Sequence, residues 1–496
     1  MKRNSYFIFL ALSAALLIAA CSGLPHGGPT PPPSGAATVV LTMSATPLVP
    51  PPGTSILSFS VNVNSIALTP ASGTAFSFPL NTGSSTFAVD LTRLQSDSAF
   101  LGLSTAVPAG SYTGITVGLS NAALTYCTVT VGTPGCTPGS VTTVHPSVAT
   151  PVITTSLTLT ASQQTGLALN LDMNKAITVN ATTQVPTVNL TATSVVAPVS
   201  LPRPASFATG QLDFVEDITG TLTSVSGQSV VVATATHGSY TATGSTSGTV
   251  FSPACTTGTI ACAQVGQVVS IDTTINANGT LSLLEYDPID TSTPARDWIE
   301  GVIVAIPTSP SQFELVTNEE VLATTTSLVG NNLSLSEPVQ VTLASGVTFN
   351  VDIKGLTVPI PQATAFAGAS DTSLLLPGQT VAVRVTSFTA GSNTVPAQAT
   401  VDMVDLRYSR VPADVLSVAA PTTLTLQNLP PLFGLTINPV VQLSTGTPPN
   451  FAATNYDGVS SASEITAGGT QTYTIRALYF GPVAATPFSA AKVRAN

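Results

Sequence analysis

Apolar and polar residues alternate with a period of two along most of the chain. Ser58-Phe59-Ser60-Val61-Asn62-Val63 and Ser156-Leu157-Thr158-Leu159-Thr160 set an apolar face against a hydroxyl or amide face, and Thr38-Val39-Val40-Leu41-Thr42 is a β-branched run. Such segments recur at about 8–12-residue spacing between Gly, Pro, Asn and Asp, the pattern of sandwiches and barrels. The 39 prolines would break most longer helices and are better tolerated at turns and strand edges. One short helix is expected, from Leu91 to Leu101. The fold class is all-β: an N-terminal β-sandwich followed by tandem small β-barrel-like repeats.

Internal repetition divides the second part of the chain. The phrase Asp217-Ile218-Thr219-Gly220-Thr221-Leu222-Thr223-Ser224-Val225 returns as Trp298-Ile299-Glu300-Gly301-Val302-Ile303-Val304-Ala305-Ile306 and, more weakly, over Val411 to Val418. Each copy leads into a second strand: Ser229 to Ala233, Gln312 to Thr317 and Thr422 to Gln427. A closing phrase, Val265-Gly266-Gln267-Val268-Val269-Ser270-Ile271, matches Pro377-Gly378-Gln379-Thr380-Val381-Ala382-Val383, with Ala467-Gly468-Gly469-Thr470-Gln471-Thr472-Tyr473 as a degenerate third copy. One more strand follows each: Leu281 to Tyr286, Ala397 to Leu406, Ala490 to Val493. The units expected are a sandwich over 37–200 and repeats over 208–290, 296–409 and 410–496. Small closed barrels are a cheap way for such units to hide their sheet edges.

Two resemblances follow from these residues. The strand from Ser58 to Leu68, the segment Phe87-Ala88-Val89-Asp90-Leu91-Thr92-Arg93-Leu94 and the turn Val107-Pro108-Ala109-Gly110-Ser111-Tyr112-Thr113-Gly114-Ile115 resemble domain-of-unknown-function family 4382. That resemblance implies a transthyretin-type sandwich and carries no catalytic residue. The repeats resemble domain-of-unknown-function family 5666.

The N-terminus reads as an address. Met1-Lys2-Arg3 precedes an apolar run from Tyr6 to Leu17, too short to span a bilayer, so residues 1–20 read as a cleaved signal. Ile18-Ala19-Ala20-Cys21 resembles the bacterial lipobox, which makes Cys21 the lipidation site and the membrane a partner through its acyl chains. Residues 21–36, with Pro25, Pro29, Pro31, Pro32 and Pro33, form a semi-rigid spacer in which His26 is solvated. The expected location is the bacterial cell envelope, with Ser22 favouring the outer membrane. Four further cysteines fall into two close pairs, so in an oxidising compartment the natural disulfides are Cys127–Cys136 and Cys255–Cys262. Zinc is the rival reading, but neither pair has a histidine close by.

Charge changes the picture most. Of 496 residues only 13 are Lys or Arg and 23 Asp or Glu, 7% in all, with a net charge of -10. A chain this poor in cations is no nucleic-acid binder, and three histidines leave little material for acid–base catalysis. His145 and His237 fall in a loop and a hairpin turn. Gly244-Ser245-Thr246-Ser247-Gly248 resembles a nucleophile elbow but has threonine at its centre. No cofactor and no enzymatic activity are expected.

The remaining carboxylates gather at repeat junctions. Asp213, Glu216 and Asp217 lie at the entrance to the first repeat, where they are weak calcium candidates, and Glu285, Asp287 and Asp290 lie at its exit. The plain alternative is solvated acidic turns. Glu319-Glu320 reads as a surface turn, and Asp402 and Asp405 face opposite sides of one strand. Trp298 reads as a plug in a core or domain junction, and Tyr473, Tyr479 and Phe480 as the last repeat's core. The function expected is that of a lipid-anchored, non-enzymatic structural or interaction module, its domains strung outward in tandem. The alternative is a lipoprotein binding a glycan or peptide at a domain junction, with an envelope protein as a further possible partner.

Overall fold

Alternation becomes strand almost everywhere. The computed structural model describes residues 35–495 except 82–86, 149, 192–194, 247, 253–254, 256, 293–294, 324–326, 352, 354–355, 393–394, 446–452, 483 and 485. The signal, Cys21 and the proline spacer up to residue 34 therefore lie outside the described residues. The described part is all-β, built from one two-sheet domain and three small barrels.

The first domain comprises β1 (Ala36–Ala45), β2 (Thr54–Pro70), β3 (Phe76–Phe78), β4 (Phe87–Asp90), β5 (Ala99–Pro108), β6 (Gly110–Thr128), β7 (Thr142–Val144), β8 (Val152–Leu159), β9 (Gln164–Leu171), β10 (Ile177–Val179), β11 (Pro186–Val188) and β12 (Val196–Leu201). One main sheet runs β12-β9-β1-β5; the other runs β3-β2-β6-β7, with β4 on β2 and β8 on β6, and β10 and β11 pair apart as a two-stranded ribbon. Their inward residues, among them Val39, Leu41, Phe59, Val61, Val117 and Leu169, form one apolar core. The helix expected over Leu91 to Leu101 is instead a single 3-10 turn, Arg93–Gln95, followed by β5 from Ala99. Leu101 joins the core as a strand residue, so sheet packing overrides a weak helical pattern.

The barrels share one topology. The first contains β13 (Gln211–Ser226), β14 (Ser229–Ala233), β15 (Ser239–Thr243), β16 (Val250–Phe251), β17 (Val268–Asn276) and β18 (Leu281–Asp290). The second contains β19 (Trp298–Ala305), β20 (Gln312–Val321), β21 (Pro338–Val351), β22 (Thr380–Thr389) and β23 (Ala397–Arg407). The third contains β24 (Ser409–Ala419), β25 (Thr423–Gln427), β26 (Val440–Leu443), β27 (Asn455–Asp457), β28 (Thr472–Tyr479) and β29 (Phe488–Arg494). In each, the opening strand lies between the second strand and the strand of the closing phrase, and a parallel pair shuts the circuit: β15–β18, β21–β23 and β26–β29. The repeated phrases thus occupy equivalent strands three times.

Local chemistry explains the repeated letters. Gly266, Gly378 and Gly468 all have φ near +90° (+96°, +89°, +96°) at the turn into the fourth main strand, a region only glycine visits without cost. Gln267 and Gln379 then close that turn, each Oε1 accepting the N–H three residues back at 2.9 and 2.8 Å. Gly220 and Gly301 mark a second shared position, where an added Cβ would lie 2.2 and 2.3 Å from the carbonyl oxygens of Ala233 and Val316. Both disulfides are present, clipping loops of separation 9 (Cys127–Cys136) and 7 (Cys255–Cys262).

The four units do not string out. The first barrel packs Leu212 and Ile275 with Val40 and Phe100 of the sandwich. The second barrel inserts Ser336 beneath the other sheet, where its hydroxyl meets those of Ser58 and Ser60 at 2.7 and 3.0 Å. Trp298 plugs the junction of the first two barrels against Val268 and Val321, 2% exposed, its Nε1–H donating to Asp290 at 3.2 Å. Tyr473 and Tyr479 complete the third barrel's core, whereas Phe480 turns outward into the core of the second.

Candidate functional site

Where the four units meet, the chain buries its charge. The sequence places Glu216 and Asp217 in β13 between Phe214 and Ile218, and the pairing with β17 slips between Val215 and Ile218. A β-bulge of this kind re-aims side chains. Asp217 takes a left-handed φ of 52°, which aspartate tolerates better than bulkier residues, and its N–H donates to Asp272.

The Asp217 carboxylate accepts from Arg476 Nε at 3.1 Å, from Arg476 Nη2 and from Arg410, with Arg407 at 3.8 Å. Arg476 also meets Asp272 at 3.2 Å, lies 3.7 Å from Glu216, and stacks on the Tyr408 ring at 4.5 Å. Around this centre Lys492 holds Glu216 at 2.7 Å, and Arg410 holds Asp97 of the sandwich at 3.0 Å. Arg407 reaches Asp287 at 3.1 Å, Glu300 at 3.4 Å and Asp405 at 3.5 Å, and Arg93 pairs with Glu319. At the rim Arg203 bridges Asp213 and Asp457 at 3.3 and 3.1 Å, while Arg494 joins Asp457 at 3.3 Å and donates to the Asp97 carbonyl. Every one of these side chains except Arg203 is at least nine-tenths buried.

Burial and pairing pull neighbouring carboxyls apart. Burial alone would raise Asp217, but Arg476, Arg410 and Arg407 hold it well below the ordinary carboxylate range. At Glu216 burial wins over Lys492 and Arg476 and pushes the carboxyl up to about 7. Glu319 likewise rises to about 7 through burial, against the pull of Arg93. Divergent neighbours of this kind could serve as acid and base, yet structural ion-pair networks produce the same perturbation. The cavity beside them, lined by Arg93, Asp97, Glu216, Asp217, His237 and Glu319, measures only ≈ 50 Å³, water-sized rather than substrate-sized.

Asp213, Glu216 and Asp217 are all drawn to this centre, where arginine and lysine are their counter-ions. Among the described residues no group of three or more His, Cys, Asp or Glu is arranged to hold a metal ion. Asp287 joins the centre, and Asp290 lies beside it with Trp298 and Arg384. The solvated acidic turns expected here are instead buried: Asp213, Glu285 and Asp287 are 1%, 0% and 3% exposed. Glu319 lies in β20 rather than in a surface turn, because Arg93 draws it inward. Asp402 and Asp405 do part company, the former with Arg384 and Arg296 and the latter with Arg407. His145 is exposed, and His237 stacks on Phe87 at 4.4 Å with Nε2 on the Ala88 carbonyl; burial lowers it to about 4.

The cationic half of this centre had one sequence signal. Lys492 and Arg494 stand two apart in the otherwise small and apolar Ala490-Ala491-Lys492-Val493-Arg494, so both point to the same strand face. Among the described residues no helix is long and apolar enough to cross a membrane. Comparison with curated proteins and with solved structures gives no match. Residues 36–188, most of the sandwich, match the family described as Domain of unknown function (DUF4382).

Proposed function

We propose that this chain is a lipid-anchored protein of the bacterial cell envelope, in the outer membrane, that acts as a non-enzymatic structural or interaction module. The observation that carries the reading is the destination of its ionisable groups. Side chains that could do acid–base work neutralise one another where four domains meet, around a cavity of ≈ 50 Å³. A hub of this kind sets the relative positions of the domains and presents their hydroxyl-rich outer faces as one platform. Two oxidised clips agree with export. In this reading Cys21 bears the lipid, the sandwich is of transthyretin type, and the barrels are repeats of family 5666.

Metabolic labelling with an acyl analogue, with Cys21→Ser as control, tests the anchor: label on the wild type alone is expected, and an unlabelled wild type overturns it. Turnover of generic ester, peptide or glycoside substrates by the purified protein would overturn the non-enzymatic reading.

A further inference from the structure

We infer that the cleft between the sandwich and the second barrel docks an extended polypeptide segment bearing lysine or arginine side chains. The inference rests on the interaction-module reading and names the chemistry of its partner. The cleft measures ≈ 1630 Å³, more than the roughly 300–1,000 Å³ of small-molecule sites. One wall is the segment from Thr137 to Val148; the other carries Glu314, Glu320 and Glu337.

Three features of these walls select the occupant. Among the described lining residues there is no Lys or Arg, and His145 is the one side chain of that lining able to carry positive charge, against three glutamates. Phe, Tyr and Trp are also absent from that lining, which leaves a sugar ring no flat face to stack on. The short edge strand β7 lines the cleft and, among the described strands, pairs with β6 alone, so the main chain of a polypeptide has backbone groups to meet.

The carboxylates supply the charge. Most other acidic groups are matched by cations or by donors, as where Asp297 accepts the N–H groups of Ala323, Leu328 and Val329. The side chains of Glu314 and Glu320 have no ion pair and no hydrogen bond among the described residues, and Glu320 Oε2 is buried without a partner among them. Among the described residues the Glu337 carboxylate is engaged by the N–H of Ser334 alone, at 3.2 Å. Burial holds Glu314 above its ordinary value and, with Glu319 and Asp297 adding to it, takes Glu320 to about 8. A partner cation would lower both, and Glu320, protonated near neutrality before binding, would release its proton as that cation docks.

The test is fluorescence anisotropy with the mature protein and two labelled dodecapeptides, one alternating Lys and Thr, the other Glu and Thr. The Lys peptide is expected to bind and the Glu peptide not. Glu314→Gln and Glu320→Gln should each weaken binding about tenfold. Val395→Arg, at a cleft position 49% exposed and so tolerant of change, should abolish it. Asp371→Asn and Glu464→Gln, outside the cleft lining, should leave it unchanged. Equal binding of both peptides, equal weakening by the outside variants, or no binding of the Lys peptide overturns the inference. If that peptide fails while an envelope-extract component binds saturably, the cationic partner is wrong and the interaction module stands. If the peptide binds but generic substrates are turned over, the module reading fails and the docking cleft stands.

Discussion

Replacing Arg476 by methionine asks whether the buried hub holds the domains together. Arg476 is fully buried and lies within 4.0 Å of four carboxylates, Asp97, Glu216, Asp217 and Asp272. At an effective dielectric of about 20, the 3.2 Å contact with Asp272 alone amounts to about 5 kcal/mol of attraction. Against this stands the cost of having buried the guanidinium, several kcal/mol, which the variant recovers. The carboxylates left behind recover nothing, and Asp272 loses its cation among the described residues. The net cost of breaking such a pair is about 3–5 kcal/mol. The exposed pair of Arg296 (side chain 48% exposed) with Asp402 at 2.7 Å is the control, and Arg296→Met should cost less than about 1 kcal/mol. Each barrel centres on an apolar core joined to its neighbours by only a few side chains, such as Phe100 and Phe480, so loss of the hub should also loosen their coupling. Calorimetry should show a single transition in the wild type that splits and moves down in Arg476→Met. Equal small effects of the two substitutions, with one transition in both, would refute the reasoning.

Three further outcomes follow from the same contacts. Glu216 and Glu319 are raised from 4.5 to about 7 by burial, so the folded chain binds more protons than the unfolded between those values and its stability falls as pH rises through that window. Asp97, Asp217 and Asp457 are lowered against burial by their arginines, so stability is also lost below about pH 4; melting temperature should peak on the acid side of neutrality, and Glu319→Gln should flatten the alkaline limb, whereas a rise from pH 5 to 8 in the wild type contradicts this. Removing either disulfide should cost about 2–3 kcal/mol in urea unfolding, but only Cys127→Ser/Cys136→Ser should expose the second barrel to protease, because the Cys136 N–H donates to Val304 at 2.8 Å and packs beside it. Gly301→Ala should cost several kcal/mol or prevent folding, since its Cβ would lie 2.3 Å from a backbone oxygen that cannot rotate away.

The sequence made the strands, the repeats and the cysteine pairs legible because each is a local signal. Alternation specifies a sheet face within a few residues, and Gly266-Gln267 and Gly378-Gln379 repeat because one turn needs a positive φ and an internal acceptor. The gathering of Asp213, Glu216 and Asp217 was visible too, but its environment was not. Arg476 and Asp217 are 259 positions apart, and Arg494 and the Asp97 carbonyl 397. No local pattern announces which cation will meet which carboxylate across domains. Glu319 misled for the same reason: two adjacent glutamates resemble a surface turn until a buried Arg93 from another domain is placed beside one of them.

A chain with 7% charged residues would ordinarily spend them on its surface for solubility. Here most of the cations are spent inside, and the choice has a physical logic. The apolar seams between the domains, among them Val40 and Phe100 with Leu212, Trp298 with Val268, and Phe480 in the second barrel's core, are non-directional and do not by themselves distinguish one docking angle from another. Ion pairs add little net stability when buried, because desolvation offsets much of their attraction, yet every mismatched alternative leaves a bare charge and costs several kcal/mol. Asp217 shows the device at its sharpest. It accepts arginines from the third barrel, approaches Arg407 of the second, and through its carbonyl accepts Arg93 of the sandwich, all from a bulge in the first. One residue thereby registers four domains. Under the proposed function, that specificity is what a tethered platform would need for partners to read its surface as a fixed shape, with Glu314 and Glu320, which have no side-chain partner among the described residues, left to meet a cation from outside.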